Sequence, residues 1–363
     1  MKEHIFWNTQ PIDISKNSIE SKNIKEYNIN EIRKEPFPLP DNFEWTLIDL
    51  TNDEHLTQFQ IFLSNYYYYD DKEPNRYINY SKDILKWFLM PPTYFPDLII
   101  GVKYKNKLLA TICGIPMKVN LFNKIIDIIE INFLCIHPKL RHKNLAPLMI
   151  KEISRRISLH QIWQAFYTGT NDLPNSLVQL GCYMKPLNLE KLKETDGFSY
   201  NSSSLIKTLN IRKLKEHDCE ICCNKMNKFN EKFKLSIYFT LEYFKQHFLQ
   251  IDSYVVEINN EITDFISFYN VPIIIKNNKI NEINKYNLYY YFYTETKLKT
   301  LIENGLYLLK EKGADLVYCL ENYDNESFVN ELNFIKGRTV LNFYLYNWTC
   351  PNINNNEMNI IMV

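Results

Sequence analysis

Residues 125–156 read IIDIIEINFLCIHPKLRHKNLAPLMIKEISRR, and the period of the pattern changes half-way along. Ile125–Ile136 is a β-branched apolar run interrupted by Asp127, Glu130 and Asn132, which predicts a largely buried strand. Beyond it Leu145, Leu148, Met149, Ile153 and Ile157 recur at steps of three and four, so they share one face of a helix. Asn144 stands where an N-cap belongs, and Pro147 falls in the first turn, where a missing N–H costs little. Between strand and helix, His137–Lys143 (HPKLRHK) is a basic turn. Free amides, a helix dipole and cationic side chains converging on one spot make a cradle for an anion such as phosphate. An ordinary strand–helix connection with solvated Lys and Arg fits the same residues, so both readings stand.

The rest of the chain narrows the class. At 363 residues with 45% hydrophobic and 15% aromatic side chains, it is long enough for two domains, or one large fused one, around a substantial core. Lys+Arg and Asp+Glu both number 42, so no net field draws it to nucleic acid or anionic membrane. No apolar run approaches the roughly 20 residues of a membrane span. Met1–Lys16 lacks the apolar centre of a signal peptide, and the eight cysteines are scattered, so a cytoplasmic setting is expected. The cluster His217, Cys219, Cys222 and Cys223 looks like half a zinc site, but no second ligand pair follows; free thiols and no metal are expected.

Toward the N-terminus, Ile5, Phe6 and Trp7 are aromatic and apolar residues that either fill a groove of the core or cover a ligand. A strand is predicted over Phe43–Leu50, helices over Glu54–Leu63 and Ser81–Leu89, and a hairpin from Leu98–Tyr104 and Leu108–Met117 turning at Lys105–Lys107. Tyr66–Glu73 (YYYYDDKE) is an acidic, aromatic loop, either a solvated turn or a lid for a cationic ligand. Trp163–Thr168 reads as a further strand.

After Leu187 the theme repeats without a linker: a helix in Cys219–Lys232, strands at Ser253–Asn259, Asp264–Tyr269 and Leu288–Tyr293, a helix Leu298–Lys312 closed by Gly313, and strands at Leu316–Leu320 and Leu341–Trp348. The chain ends on Ile360, Ile361, Met362 and Val363. Four apolar residues there argue for a tail drawn inward, although a final strand with its carboxylate at the surface is also open. A buried carboxylate is costly and has a raised pKa, which suits a base.

Several of these segments together resemble the eukaryotic N-myristoyltransferase (glycylpeptide N-tetradecanoyltransferase) family. EINFLCIHPKLRHKNLAP at Glu130–Pro147, FWNTQP at Phe6–Pro11, AFYTG at Ala165–Gly169, DFISFY at Asp264–Tyr269 and FYLYNW at Phe343–Trp348 match it in order, across essentially the whole chain. The resemblance implies an α/β (α+β) fold of two fused acetyltransferase-like (GNAT-like) halves, related by a pseudo-twofold axis around a continuous mixed sheet. Residues 1–187 would form the half that binds myristoyl-CoA, and 188–363 the half that binds peptide and carries the terminal carboxylate. The activity implied is transfer of myristate from myristoyl-CoA to the N-terminal glycine amine of proteins. Myristoyl-CoA would be a co-substrate, with no permanent cofactor, and the enzyme a monomer acting on glycine-terminated peptides.

The resemblance also assigns roles. Phe133 and Leu134 would offer backbone N–H groups to the thioester oxygen; Ile5, Phe6 and Trp7 would cover the CoA. Cys135 and Ile136 would continue its wall, with Arg141, His142, Lys143, Asn144, Leu145 and Ala146 at its phosphates. An α-amine of pKa about 8 must lose a proton before attack. The Val363 carboxylate would take it, and Thr168 would hold the amine. Asp70, Asp71 and Glu73 would receive a substrate lysine, and Tyr66, Tyr183, Ser267, Tyr290 and Gly337 would line the peptide groove.

Departures from the family pattern bear on specificity. In Phe334–Thr339 (FIKGRT), Arg338 occupies the place of an aspartate; Met184 and Lys185 follow Tyr183 in place of an aromatic residue and a histidine; and the long basic N-terminal extension of animal members is lacking. Another CoA-dependent N-acyltransferase on the same fold, or an acyl-CoA-binding protein without turnover, are the alternatives.

Overall fold

A computed structural model describes residues 6–13, 18–67, 75–170, 173–196, 204–276 and 279–362. Ile5, Asp70, Asp71, Glu73 and Val363 lie outside the described residues. The fold is mixed α/β. Two compact units form, the first from Met1–Tyr69, Tyr80–Gln179 and Asn342–Ile353, the second from Asp70–Asn79, Leu180–Leu341 and Asn354–Val363. The units interleave in sequence, whereas the halves expected from the sequence meet at a single cut.

In the first unit, strand β1 (Phe43–Leu47) is followed by helices α1 (Asp53–Tyr66) and α2 (Lys82–Leu89), then β2 (Ile99–Tyr104), β3 (Lys107–Leu121), β4 (Lys124–Ile136), α3 (Leu145–Leu159) and β5 (Ala165–Gly169). The Asn52 side chain caps α1 by accepting from the Glu54 and His55 amides, and Ser81 caps α2 through Ile84. The β2–β3 hairpin turns on Lys105 and Asn106, both at positive φ. Pairings β1–β2, β2–β3 and β3–β4 are antiparallel; β4–β5, separated by a helix, is parallel. The expected apolar face of α3 is real: Leu145, Met149, Ile153 and Ile157 pack in one cluster with Ile100, Val102, Ile112 and Ile129 from the sheet. Asn342–Tyr346 pair antiparallel with Gly169–Ala165 of β5.

The second unit contains β6 from Leu180 onward (Val178–Pro186 in full), β7 (Ile211–Lys213), α4 (Cys219–Asn230), α5 (Leu241–Leu249), β8 (Asp252–Ile258), β9 (Glu261–Asn270), β10 (Lys285–Phe292), α6 (Leu298–Glu311) and β11 (Leu316–Leu320). Its order repeats that of the first. Antiparallel β7–β8, β8–β9 and β9–β10 precede a parallel β10–β11 pair, again with a helix between the parallel strands. Helix α6 lies close on β9: a Cβ at Gly305 would come within 2.8 Å of the Phe268 ring. Glycine is what permits that approach. The predicted stop at Gly313 is present, with φ +86°.

Candidate active site

The centre of the first unit is a fault in β4. Thr111 pairs with Cys135 and Cys113 with Asn132, so Ile112 alone faces both Phe133 and Leu134. This is a β-bulge, and Phe133 carries it at φ +51°. A phenylalanine tolerates that conformation here because its ring is fully buried, with Phe59, Tyr67, Tyr80 and Phe88 at 5.1–6.3 Å between centroids. The Thr111 hydroxyl further fixes it, donating to the Phe133 carbonyl at 2.9 Å.

The Phe133 amide donates to Asn132 Oδ1 at 2.8 Å, and the Tyr67 hydroxyl donates to the same oxygen at 3.1 Å. Asn132, read from the sequence as a mere interruption of the strand, is thus the acceptor on which the bulge closes. Its Nδ2 lies 3.5 Å from Oε1 of Glu130, which is buried so completely that desolvation pushes its pKa up to about 8.

Parallel pairing of β4 with β5 runs from Ile129–Ala165 to Ile131–Tyr167. Thr168 and Asn132 are each one residue past the last pair, so Thr168 lies on one strand and the bulge on the other where their pairing stops. Phe6 packs edge-on against Trp7, Trp7 stacks on Tyr167 at 5.5 Å, and Tyr167 stacks on Tyr344 at 5.0 Å. The N-terminal aromatics therefore cover one face of β5.

The basic turn contains a 3-10 segment, Pro138–Leu140, and then two residues at positive φ, His142 (61°) and Asn144 (58°). Asn144 occupies the N-cap of α3 but makes no side-chain cap hydrogen bond, which corrects the expected capping role. In a left-handed backbone its side chain is not aimed at the first-turn amides, so they remain available to an anion. His142, Lys143 and Asn144 are exposed, Ala146 is half-buried and Leu145 is buried in the core. Arg141 is tied to the scaffold: Nε donates to the Ile136 carbonyl at 3.1 Å and Nη2 to the Tyr66 carbonyl at 3.0 Å. It thereby holds the turn against the end of α1. Cys135 is buried, and desolvation raises its thiol to about 12.

In the second unit the Tyr183 hydroxyl donates to Glu321 Oε1 at 3.1 Å, Lys336 Nζ reaches the same oxygen at 2.6 Å, and the Gly181 amide donates to Oε2 at 3.1 Å. Gly337 abuts the Cys182 carbonyl, 3.1 Å from where a Cβ would stand. Ser267 and Tyr290, expected along a peptide groove, are both fully buried here. The tail is drawn inward: Met358, Asn359, Ile360 and Ile361 are buried. Cys219, Cys222 and Cys223 are buried thiols raised by desolvation, and no group of three potential metal ligands occurs among the described residues. Nor is any described helix long and apolar enough to cross a membrane.

Two family models match, described as the N-terminal domain (residues 23–180) and the C-terminal domain (residues 187–361) of myristoyl-CoA:protein N-myristoyltransferase. A glycylpeptide N-tetradecanoyltransferase of Plasmodium falciparum is 34% identical, with 99% of this chain and 94% of that protein covered. One from Arabidopsis thaliana is 35% identical over 96% of this chain and 86% of its own length. The crystal structure of Saccharomyces cerevisiae N-myristoyltransferase with bound myristoyl-CoA superposes with a TM-score of 0.94 at 31% identity, covering both chains completely. The matches run along the full length: the chain belongs to the myristoyl-CoA:protein N-myristoyltransferase family.

Proposed function

We propose a division of labour for the reaction. The chain is an acyltransferase that moves a myristoyl group from myristoyl-CoA to the N-terminal glycine amine of a protein, forming an amide and releasing CoA thiol. The observation that supports our assignment of residues is the bulge at Phe133–Leu134, set beside Thr168 where the β4–β5 pairing stops.

The thioester oxygen is received by the Phe133 and Leu134 amides. Such donors act where charge develops, and one is typically worth about 100- to 1000-fold in rate. The CoA phosphates rest on His142–Ala146 at the start of α3, with Lys143 supplying charge, Arg141 holding the turn, and Phe6 and Trp7 covering the CoA. Cys135 and Ile136 form the adjoining wall, and Ile5 extends the cover. Residues 1–187 carry these contacts, and 188–363 carry most of those to peptide. Burial of a 14-carbon tail at about 0.8 kcal/mol per methylene offers roughly 10 kcal/mol before entropic costs, enough for a closed pocket to select chain length.

Thr168 holds the incoming glycine amine, and the terminal carboxylate at Val363 takes its proton. Asp70, Asp71 and Glu73 face the cationic part of the peptide, with Tyr66, Tyr183 and Gly337 along its path. The enzyme works as a monomer in the cytoplasm. Two glycines appended after Val363, or removal of Val363, abolish transfer while leaving myristoyl-CoA affinity within about twofold. Undiminished transfer by the extended protein sinks the assignment of the base. Acyl-CoAs of graded length, assayed with one glycine peptide, separate this reading from a shorter-chain N-acyltransferase or a binding protein without turnover.

A further inference from the structure

The two units carry the same fault in the same strand. In β9 and β10, Ile266 pairs with Tyr291 and Phe268 with Leu288, so Ser267 alone faces Tyr289 and Tyr290. This is the count seen at Phe133–Leu134, in the strand that again precedes a helix and a parallel partner. The Ser267 hydroxyl bridges the gap in the ladder, donating to the Tyr290 carbonyl at 2.7 Å and accepting from the Tyr290 amide at 3.1 Å. With its backbone locked, the Tyr290 ring is packed by Tyr289 at 4.5 Å and, edge-on, by Phe239 at 5.2 Å, and it is fully buried.

The hydroxyl of that fixed ring meets the tail. It accepts the backbone N–H of Ile361 at 3.0 Å. Upstream, Asn322 Nδ2 donates to the Ile360 carbonyl at 3.4 Å, Asn359 Nδ2 donates to Asn230 Oδ1 at 2.7 Å, and Leu235–Ser236 pair with Met358–Asn359. The tail is thus gripped on successive residues, and of these hydrogen bonds that of Tyr290 lies furthest along it, at Ile361. Two residues span at most about 7 Å, so the backbone at Ile361 governs how far the chain end can wander.

We propose that Tyr290 is a positioning residue for catalysis: its hydroxyl fixes the Ile361 backbone and so orients the carboxylate that deprotonates the glycine amine. This rests on the reading of the Val363 carboxylate as the base. The first unit uses its bulge to aim amides at the acyl group; the second uses its bulge to aim a phenol at the tail. The hydroxyl meets the Ile361 backbone, so its proposed effect on catalysis passes through the tail. A misplacement of about 1 Å in a reacting group costs up to about 100-fold.

The test is Tyr290→Phe in the full chain, which keeps the packed ring and deletes the hydroxyl. Turnover number falls about 10-fold or more, while myristoyl-CoA affinity and peptide KM stay within about twofold. The acid limb of the pH–rate profile moves up toward the amine pKa of about 8, because the free amine then supplies a larger share of the reactive form. Asn322→Ala, which loosens the neighbouring carbonyl of Ile360, lowers turnover in the same direction by a smaller factor. In a chain extended beyond Val363, Tyr290→Phe has no further effect on the residual rate. An unchanged turnover number in Tyr290→Phe overturns the proposal even where extension abolishes transfer, and so does a loss confined to myristoyl-CoA affinity. If extension leaves transfer intact, the base assignment fails first, which is a separate result.

Discussion

The backbone N–H of Phe133 donates to the side-chain Oδ1 of Asn132, the residue immediately before it, at 2.8 Å. The amide assigned to the thioester oxygen is therefore already paired, and the acyl group must replace one oxygen by another. Asn132→Ala leaves the Phe133 amide and the Tyr67 hydroxyl without this acceptor. Each buried donor so exposed costs about 1–3 kcal/mol. The variant melts several degrees lower than the parent, and myristoyl-CoA, whose thioester oxygen the proposed assignment brings to the amide, raises its melting temperature by more than it raises the parent's. Thermal melts with and without myristoyl-CoA check this, and equal ligand increments in the two proteins count against it.

Glu130, two residues upstream, gives a pH signature. Burial holds its carboxyl near a pKa of about 8 in the folded protein, against about 4.3 for a free glutamate. Between those values the folded chain keeps a proton that the unfolded chain releases, so the contribution to stability declines as pH rises through that window and levels off above it. Glu130→Gln removes the titrating group and keeps a neutral side chain of similar shape. Melting temperatures from pH 5 to 9 thus fall more steeply for the parent, and the difference between the two proteins grows until about pH 8. Parallel curves refute the shift.

How much of this was legible before the fold was known depends on whether a feature repeats. The face of α3 follows from Leu145, Met149, Ile153 and Ile157, because a helix restates its orientation every three or four residues. The inward tail is legible for a similar reason, since Ile360 and Ile361 have no business in water. The bulges are not. A two-against-one pairing is decided by the partner strand, and neither Phe133 nor Tyr290 has the glycine-like chemistry that announces an unusual backbone. Asn144 shows the opposite error: it is a good capping residue at the right place, yet a positive φ turns its side chain away. The run Leu288–Tyr293 announced burial through its rings, but nothing in it disclosed that one hydroxyl would meet the tail 71 residues on.

Peptide preference turns on a charge that the sequence places but does not pair. Glu321 is matched by Lys336 at 2.6 Å and by the Tyr183 hydroxyl and Gly181 amide, so its carboxylate is occupied. Arg338, two residues beyond Lys336 on an exposed stretch of strand, forms no ion pair among the described residues. Arg338 thus adds one exposed positive charge next to Gly337, where the family pattern has an acidic residue. Exposed pairs are worth about 0.2–1 kcal/mol, and reversing a sign both removes a repulsion and adds an attraction. In kcat/KM, the preference for glycine peptides bearing Lys over their Glu counterparts is therefore weakened, and Arg338→Asp strengthens it by about 3- to 10-fold. Salt compresses the ratio in both proteins, because the interacting groups are solvent-exposed. A peptide library scanned with Lys, Glu and a neutral residue at each position provides the measurement. A lysine preference of equal strength in the parent and in Arg338→Asp would place selectivity on Asp70, Asp71 and Glu73 and leave Arg338 without a part in it.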